Sequence, residues 1–268
     1  MTEGQQTEWD AATYHRVSRP HETWGQRVLD RLPLRGDETV LDAGCGTGKL
    51  TAELLERLPR GRVVALDAST NMLAAARDYL LPRFGERVAF VRLDLLDLDA
   101  SGELVTGVDA VFSTATFHWV RDHPRLFAKL YGVLRPGGWI VAQCGGGPNI
   151  ARLVHHAEGV MRAPAFASYF AGWDGPWEYA DDATTAERLR AAGFVGVETS
   201  LEESSVQLAG RDEFAVYLRT VVFSAHLARL PHAHHAAFVE AVVEAAEADD
   251  PPYVLDYWRL NMRARKPE

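Results

Sequence analysis

The sequence predicts an open, doubly wound α/β fold: a mostly parallel, seven-stranded sheet with helices on both faces and helical lid insertions over one end. Three observations predict it. Short runs rich in Val, Leu and Ala alternate with segments of helical period from Thr39 to Gln143, the pattern of a parallel sheet with right-handed crossovers. The stretch Val40 to Leu50, VLDAGCGTGKL, passes from a buried strand through a glycine-rich turn into a helix. An acid, Asp67, ends the next strand about 20 residues beyond that turn, where open sheets of this kind hold a ribose.

The elements follow in order. An amphipathic helix is expected from His21 to Leu32, stopped by Pro33 and Gly36. Strand one is Thr39 to Ala43, with its helix at Thr47 to Leu58. Strand two is Arg62 to Leu66, ending at Asp67, with a helix from Ser69 to about Leu80. Strand three is Val88 to Leu93 and strand four Val108 to Ser113, followed by a helix near Pro124 to Tyr131. Arg135-Pro136-Gly137-Gly138 reads as a turn into strand five, Trp139 to Gln143. Beyond Gly145 the texture changes: Asn149 to Met161 is helical, whereas Ala163 to Tyr179 mixes six aromatic residues with Gly and Pro and forms no regular element. A helix (Thr184 to Ala192) and a strand (Gly196 to about Leu208) resume the core. Helical stretches Arg211 to Leu230 and His232 to Ala248 precede a last strand, Tyr253 to Arg265. Four parts result: an N-terminal cover (1–36), a cofactor-binding core (37–145), an aromatic-rich lid (146–182), and the rest of the core with a helical insertion (183–268).

Composition narrows the function. With 47% hydrophobic residues, the 268-residue chain has enough apolar material for a sizeable core. A net charge of −9 without any basic run argues against nucleic acid or an anionic membrane as partner. No spanning segment and no signal peptide are visible, and Cys45 and Cys144 fall in or beside glycine turns, on non-adjacent strands if the sheet order is the usual one, so a reduced, cytoplasmic protein is expected. His226, His232, His234 and His235 match no metal-ligand spacing and straddle Pro231, so no metal is expected.

The glycine turn carries the chemistry. Gly44, Gly46 and Gly48 let the backbone turn tightly and approach a ligand without Cβ atoms in the way. Dinucleotide enzymes space these glycines G-x-G-x-x-G around a pyrophosphate; here the third comes one residue early, and Asp42 precedes the first. A carboxylate there would repel a pyrophosphate but accept hydrogen bonds from an ammonium group, directly or through water. With Asp67 and with Asp94-Leu95 after strand three, the stretch resembles the motifs of class I S-adenosylmethionine-dependent methyltransferases, whose Rossmann-like sheet binds a cationic sulfonium cofactor. The resemblance implies that Asp67 holds the ribose, Asp94 the adenine amine and the Leu95 N–H a ring nitrogen. It further implies that Tyr14, Ala68, Met72 and Ser113 surround the same cofactor.

The segment Ser113 to Val120, STATFHWV, follows strand four at the carboxyl edge of the sheet and should face the methyl group. With W-x-x-x-x-Y at Trp9 to Tyr14, LRPGG at Leu134 to Gly138 and the late RLNMRARKP, the chain is most similar to the trans-aconitate and malonyl-thioester methyltransferase subgroup. That subgroup often has glutamine where this chain has His118. Imidazole titrates near neutral pH, so His118 could take a proton from a hydroxyl acceptor, donate a hydrogen bond to a carboxylate, or serve structure alone. Tyr14, His118, Trp119, Phe170 and Trp173 are the expected acceptor-binding residues; Tyr14 and Trp24 read either as part of a cover or as apolar caps on the sheet, and the aromatics as lid or as local core.

The expected activity is methyl transfer to an oxygen, carboxylate or hydroxyl, of a small molecule, by a monomer or homodimer. The alternatives are C-methylation, a protein of this fold that binds the cofactor without methyl transfer, and a nicotinamide oxidoreductase, against which the glycine spacing speaks.

Overall fold

A computed structural model describes Ala11, Thr13, 19–99 and 107–268. Tyr14, the expected cover residue, lies outside that set, as does Trp9 of the W-x-x-x-x-Y motif. Seven strands form one sheet in the order β3-β2-β1-β4-β5-β9-β6: β1 (Thr39–Ala43), β2 (Arg62–Asp67), β3 (Val88–Arg92), β4 (Val108–Thr114), β5 (Leu134–Gly145), β6 (Val195–Glu203) and β9 (Trp258–Arg265). The first five pair in parallel, while β9 runs antiparallel between β5 and β6. The strand order turns at β1 and β4, opening a crevice at their carboxyl ends.

Alternation along each strand feeds two cores. Leu41, Ala43, Val64, Leu66 and Val111 pack under α4 (His123–Val133) and α7 (Asp182–Ala191). Val40, Val63, Ala65, Ala110 and Phe112 pack on the opposite face under α1 (Arg19–Leu29), α2 (Lys49–Arg57) and α3 (Thr70–Phe84). Helices on both faces make the fold doubly wound, as the βα alternation predicts. Side chains cap the helices where the sequence offers them: Ser69 Oγ accepts the Met72 N–H at 3.2 Å, and Asp122 accepts the N–H of Arg125 at 3.0 Å.

A third core lies off the sheet. It joins α5 (Ala151–Met161), α6 (Ala167–Phe170), α8 (Arg211–Tyr217), α9 (Ser224–Ala228) and α10 (His232–Glu247) through Phe170, Phe214, Phe223 and Phe238. The two helical regions on either side of β6 therefore share one interior.

Four boundaries differ from expectation. The RPGG turn lies within β5, because the β4–β5 register slips between Val108 and Ala110 and Gly137 adopts φ 76°. The strand expected from Gly196 to Leu208 stops at Glu203, and Val206–Gln207 (β7) instead pairs with Val254–Leu255 (β8) in a second small sheet. The expected last strand breaks at the facing point, where Ser204 N–H bonds the Tyr257 carbonyl at 2.8 Å. The helix expected from Arg211 to Leu230 is interrupted by a π-turn over Leu218–Val222.

Candidate functional site

The crevice above β1 and β4 holds a cavity of ≈ 290 Å³. Its walls include Gly44, Gly46, Asp67, Ala68, Met72, Asp94, Leu95 and Trp119, so most of the expected cofactor residues come together there. Each glycine has its own reason. A Cβ on Gly44 would lie 2.2 Å from Thr116 Oγ1, and Gly44 has φ 87°. One on Gly48 would lie 2.8 Å from Leu80, so that glycine lets α3 pack against the turn. At Gly46 nothing lies within 4 Å of a built Cβ; this glycine opens toward the cavity.

Asp67 ties the floor together. One carboxylate oxygen accepts the Gly46 N–H at 2.9 Å and the other the Ser69 N–H at 2.9 Å. Asp94 accepts the Leu96 N–H at 2.9 Å and caps a short turn, leaving Leu95 buried against the cavity.

Two expected residues sit behind the wall. Asp42 is buried beneath the turn, where its carboxylate accepts the Thr51 hydroxyl at 2.6 Å. Burial, opposed by that hydrogen bond and assisted by the negative charge of Asp67, pushes its pKa up to about 7. Ser113 Oγ donates to the Ala43 carbonyl at 2.6 Å, tying β4 to β1, and does not line the cavity.

A second cavity of ≈ 40 Å³ adjoins the first, with Ala115 and Trp119 lining both. His118 lines it, 9% exposed. The Gly145 N–H donates to His118 Nδ1 at 3.3 Å, so Nδ1 is an acceptor and the neutral ring carries its proton on Nε2. Tyr179 lies against the imidazole, with ring centroids 5.8 Å apart. Asn149, Ile150, Val221, Val222, Tyr257 and Arg259 complete the walls.

Sequence reasoning passed over those six as site residues. Two signals mark the region in the structure. Ala115 (φ 54°) and Ile150 (φ 49°) are two of only three non-glycine residues with positive φ among the described residues. Such backbone is rare for a β-branched side chain and clusters at functional sites. The π-turn that supplies Val221 and Val222 is a second mark of the same kind.

Phe170 and Trp173 stand one chamber further out. With His226 they line a cavity of ≈ 640 Å³ that shares Trp177 and Tyr179 with the His118 chamber. His226 is packed among Trp173, Trp177 and Phe223, and burial pushes its pKa down to about 3. His234 packs on Phe166 and Tyr169, and His235 bonds the Leu230 carbonyl at 3.0 Å. Among the described residues no three His, Cys, Asp or Glu side chains are grouped to hold a metal. Cys45 and Cys144 are free and buried.

The chemistry of the cavity above β1 and β4 is one-sided. Among the described residues two carboxylates line it and no Lys or Arg does, so it suits a cationic ligand better than a pyrophosphate. Comparison with known proteins agrees. Residues 40–138 match the family of methyltransferase domains. An uncharacterized methyltransferase of Schizosaccharomyces pombe is 30% identical over 195 residues, 69% of this chain and 70% of that protein. The chain belongs to the class I S-adenosylmethionine-dependent methyltransferases. Over 251 residues the methyltransferase is 28% identical to the trans-aconitate 2-methyltransferase of Deinococcus radiodurans, covering 91% of this chain and 92% of that one. In fold it resembles Haemonchus contortus phosphoethanolamine N-methyltransferase 2, solved with phosphomonomethylethanolamine and S-adenosylhomocysteine. That match has a TM-score of 0.61 at 18% identity and covers 96% of this chain but 57% of the other. S-adenosylmethionine is the methyl donor, and the acceptor is a small molecule. Among the described residues, no helix is long and apolar enough to cross a membrane.

Proposed function

We propose that the methyltransferase moves a methyl group to an oxygen of a small carboxylic acid. The observation that carries this reading is the Gly145 N–H bond to His118 Nδ1. A ring whose Nδ1 accepts and whose Nε2 holds the proton is a donor, not a base, toward whatever fills the chamber. A carboxylate, with an ordinary pKa near 4, is already ionised at neutral pH and needs only to be held. A hydroxyl acceptor would need a base, and His118 in this tautomer supplies none. The likeness to trans-aconitate methyltransferases supports the same reading.

In this reading Asp67 holds the ribose, Asp94 and the Leu95 N–H hold the adenine, and Met72 and Ala68 wall the cofactor. Gly44 and Gly46 let its amino-acid end lie close to the backbone. Asp42 acts from beneath the turn, by its charge. S-adenosylmethionine supplies an electrophilic methyl on a sulfonium. The chain orients the nucleophile: Nε2–H of His118 and the walls at Trp119 and Tyr179 set the acceptor oxygen in line with that methyl. Alignment of this kind accounts for as much as about 7–11 kcal/mol of a barrier. When bound, the cofactor would give its methyl to that oxygen and leave as S-adenosylhomocysteine, the sulfur keeping the electron pair, so that the two opposite charges would be neutralised.

We assign 37–145 to the cofactor, and 146–182 with the insertion of 183–268 to the acceptor. Two buried thiols fit a cytoplasmic protein. The test is direct. Incubation of the full chain with methyl-labelled cofactor and trans-aconitate should yield a base-labile methyl ester; a label stable to mild alkali would point to carbon or an ether oxygen instead.

A further inference from the structure

Among the described residues Arg259 is a cation without a counter-charge. It opens β9 beside Gly145 of β5 and is 2% exposed. Its Nε donates to Gln143 Oε1 at 3.3 Å, and Gln143 is itself fixed by donating to Asn261 at 2.7 Å. The guanidinium lies 4.5 Å from the ring centroid of Trp24 and 5.9 Å from that of Tyr257. Among the described residues, no carboxylate forms an ion pair with it, and Nη1 and Nη2 have no hydrogen-bond partner. The titratable groups whose fields reach it are Cys144, Tyr257, Tyr217 and Tyr179. Burial pushes Cys144 and Tyr257 up to about 12 and Tyr179 well up, so none of these three supplies negative charge at neutral pH.

Burying a cation without a counter-charge is costly, and cation–π contacts offset only part of that. A protein keeps such a group where a ligand completes it. Arg259 lines the chamber that holds His118, and that chamber meets the cofactor cavity at Ala115 and Trp119.

We propose that Arg259 is the receptor for a carboxylate of the acceptor, and that this carboxylate is not the one methylated. The proposal rests on the reading of the acceptor as a carboxylic acid. The planar fork of a guanidinium matches a carboxylate bidentately. A carboxylate so held donates electron density to the guanidinium and is a poorer nucleophile, which assigns methylation to another oxygen on the same molecule. At ≈ 40 Å³ the chamber admits a group of a few atoms rather than a whole acid. The acceptor therefore spans from Arg259 to the cofactor cavity and carries at least two acidic groups.

The test uses the full chain saturated with S-adenosylhomocysteine, titrated with tricarballylate, acetate or inorganic phosphate by calorimetry. Tricarballylate should bind saturably and much more tightly than acetate or phosphate. Arg259→Gln should weaken it at least a hundredfold and Arg259→Lys about tenfold, with S-adenosylhomocysteine affinity unchanged in both. The melting temperature of the ligand-free Gln variant should not fall, since it loses an unpaired buried charge; should that variant fail to fold, the Lys variant carries the test alone. Undiminished tricarballylate binding by the variants overturns the proposal, as does no anion binding to the wild type. Weakened S-adenosylhomocysteine binding would assign Arg259 to the cofactor's own carboxylate, and tighter binding of phosphate would reject the carboxylate assignment. Methyl transfer is read separately: tricarballylate that binds through Arg259 but yields no base-labile ester leaves this site standing and overturns the proposed reaction.

Discussion

The two halves of the site are built by opposite means. The cofactor side comes mostly from short contiguous stretches at strand ends, 44–48, 66–72, 93–95 and 114–120, and its charged groups are carboxylates held by backbone N–H groups. The acceptor side gathers 115–119, 149–150, 177–179, 221–222 and 257–259, with a lone guanidinium among aromatic rings. One half is anionic and local, the other cationic and assembled. On the proposed reading a cation and an anion that must meet are each drawn to its own chamber, with Ala115 and Trp119 at the junction.

Four measurements would break or sharpen that contrast. The largest effect is expected at Asp67. Replacing it with Ala removes its bonds to Gly46 and Ser69 along with those proposed to the ribose, each charge-assisted bond being worth roughly 1.5–3 kcal/mol. S-adenosylhomocysteine affinity should fall about a hundredfold by calorimetry, while tricarballylate affinity at saturating S-adenosylhomocysteine stays within a few-fold. Equal losses on both sides would mean that the halves are not separate.

Next comes Asp42, whose pKa of about 7 lies above its usual 3.8. A raised carboxyl pKa means that the folded state holds its proton longer than the unfolded chain does. This group's contribution to stability is therefore full below pH 3.8 and is lost as pH rises through about 7. A cationic cofactor favours the ionised form, so affinity should rise up to about tenfold per pH unit between pH 5.5 and 7. Asp42→Asn should flatten both profiles; an unaltered slope would remove Asp42 from the cofactor's field.

A smaller effect is expected for His118→Gln, which keeps a donor and removes basicity. The single-turnover rate should stay within tenfold of the parent and change little with pH. A hundredfold loss, with a parent rate rising through histidine's range, would instead make His118 a base and the acceptor a hydroxyl. The smallest effect concerns protection. Within Ala163 to Tyr179, Phe166 and Phe170 are buried on Phe238 whereas Trp173 and Asp174 are more open. Hydrogen exchange of residues 173–179 should slow several-fold when cofactor binds, with 166–170 unchanged. Equal protection throughout in the free protein would make the whole segment static core.

Sequence reading recovered the two halves unequally, for a physical reason. Strand ends that bind a cofactor through glycine and carboxylate carry their signal within a few residues: Gly44, Gly46, Asp67 and Asp94 all line the cavity. Asp42 and Ser113 share that stretch but point into hydrogen bonds behind the wall, which spacing along a strand does not reveal. Arg259 lay within the quoted RLNMRARKP, yet one arginine among three in that stretch has no sequence mark of burial. Its meaning depends on β9 lying between β5 and β6 with Trp24 across from it. The π-turn escaped for a similar reason, since Leu218–Val222 keeps helical composition while adding a residue to the turn.

The position of β9 also sets an order of assembly during synthesis. Strands β1 to β5 leave the ribosome first and can pair among themselves, but β5 and β6 have no common neighbour until β9 emerges. Until then β5 presents an open edge, the kind of surface on which nascent chains associate. Arg259 arrives on that same late strand, so on the proposed assignment a growing chain acquires a place for its cofactor well before it can hold an acceptor.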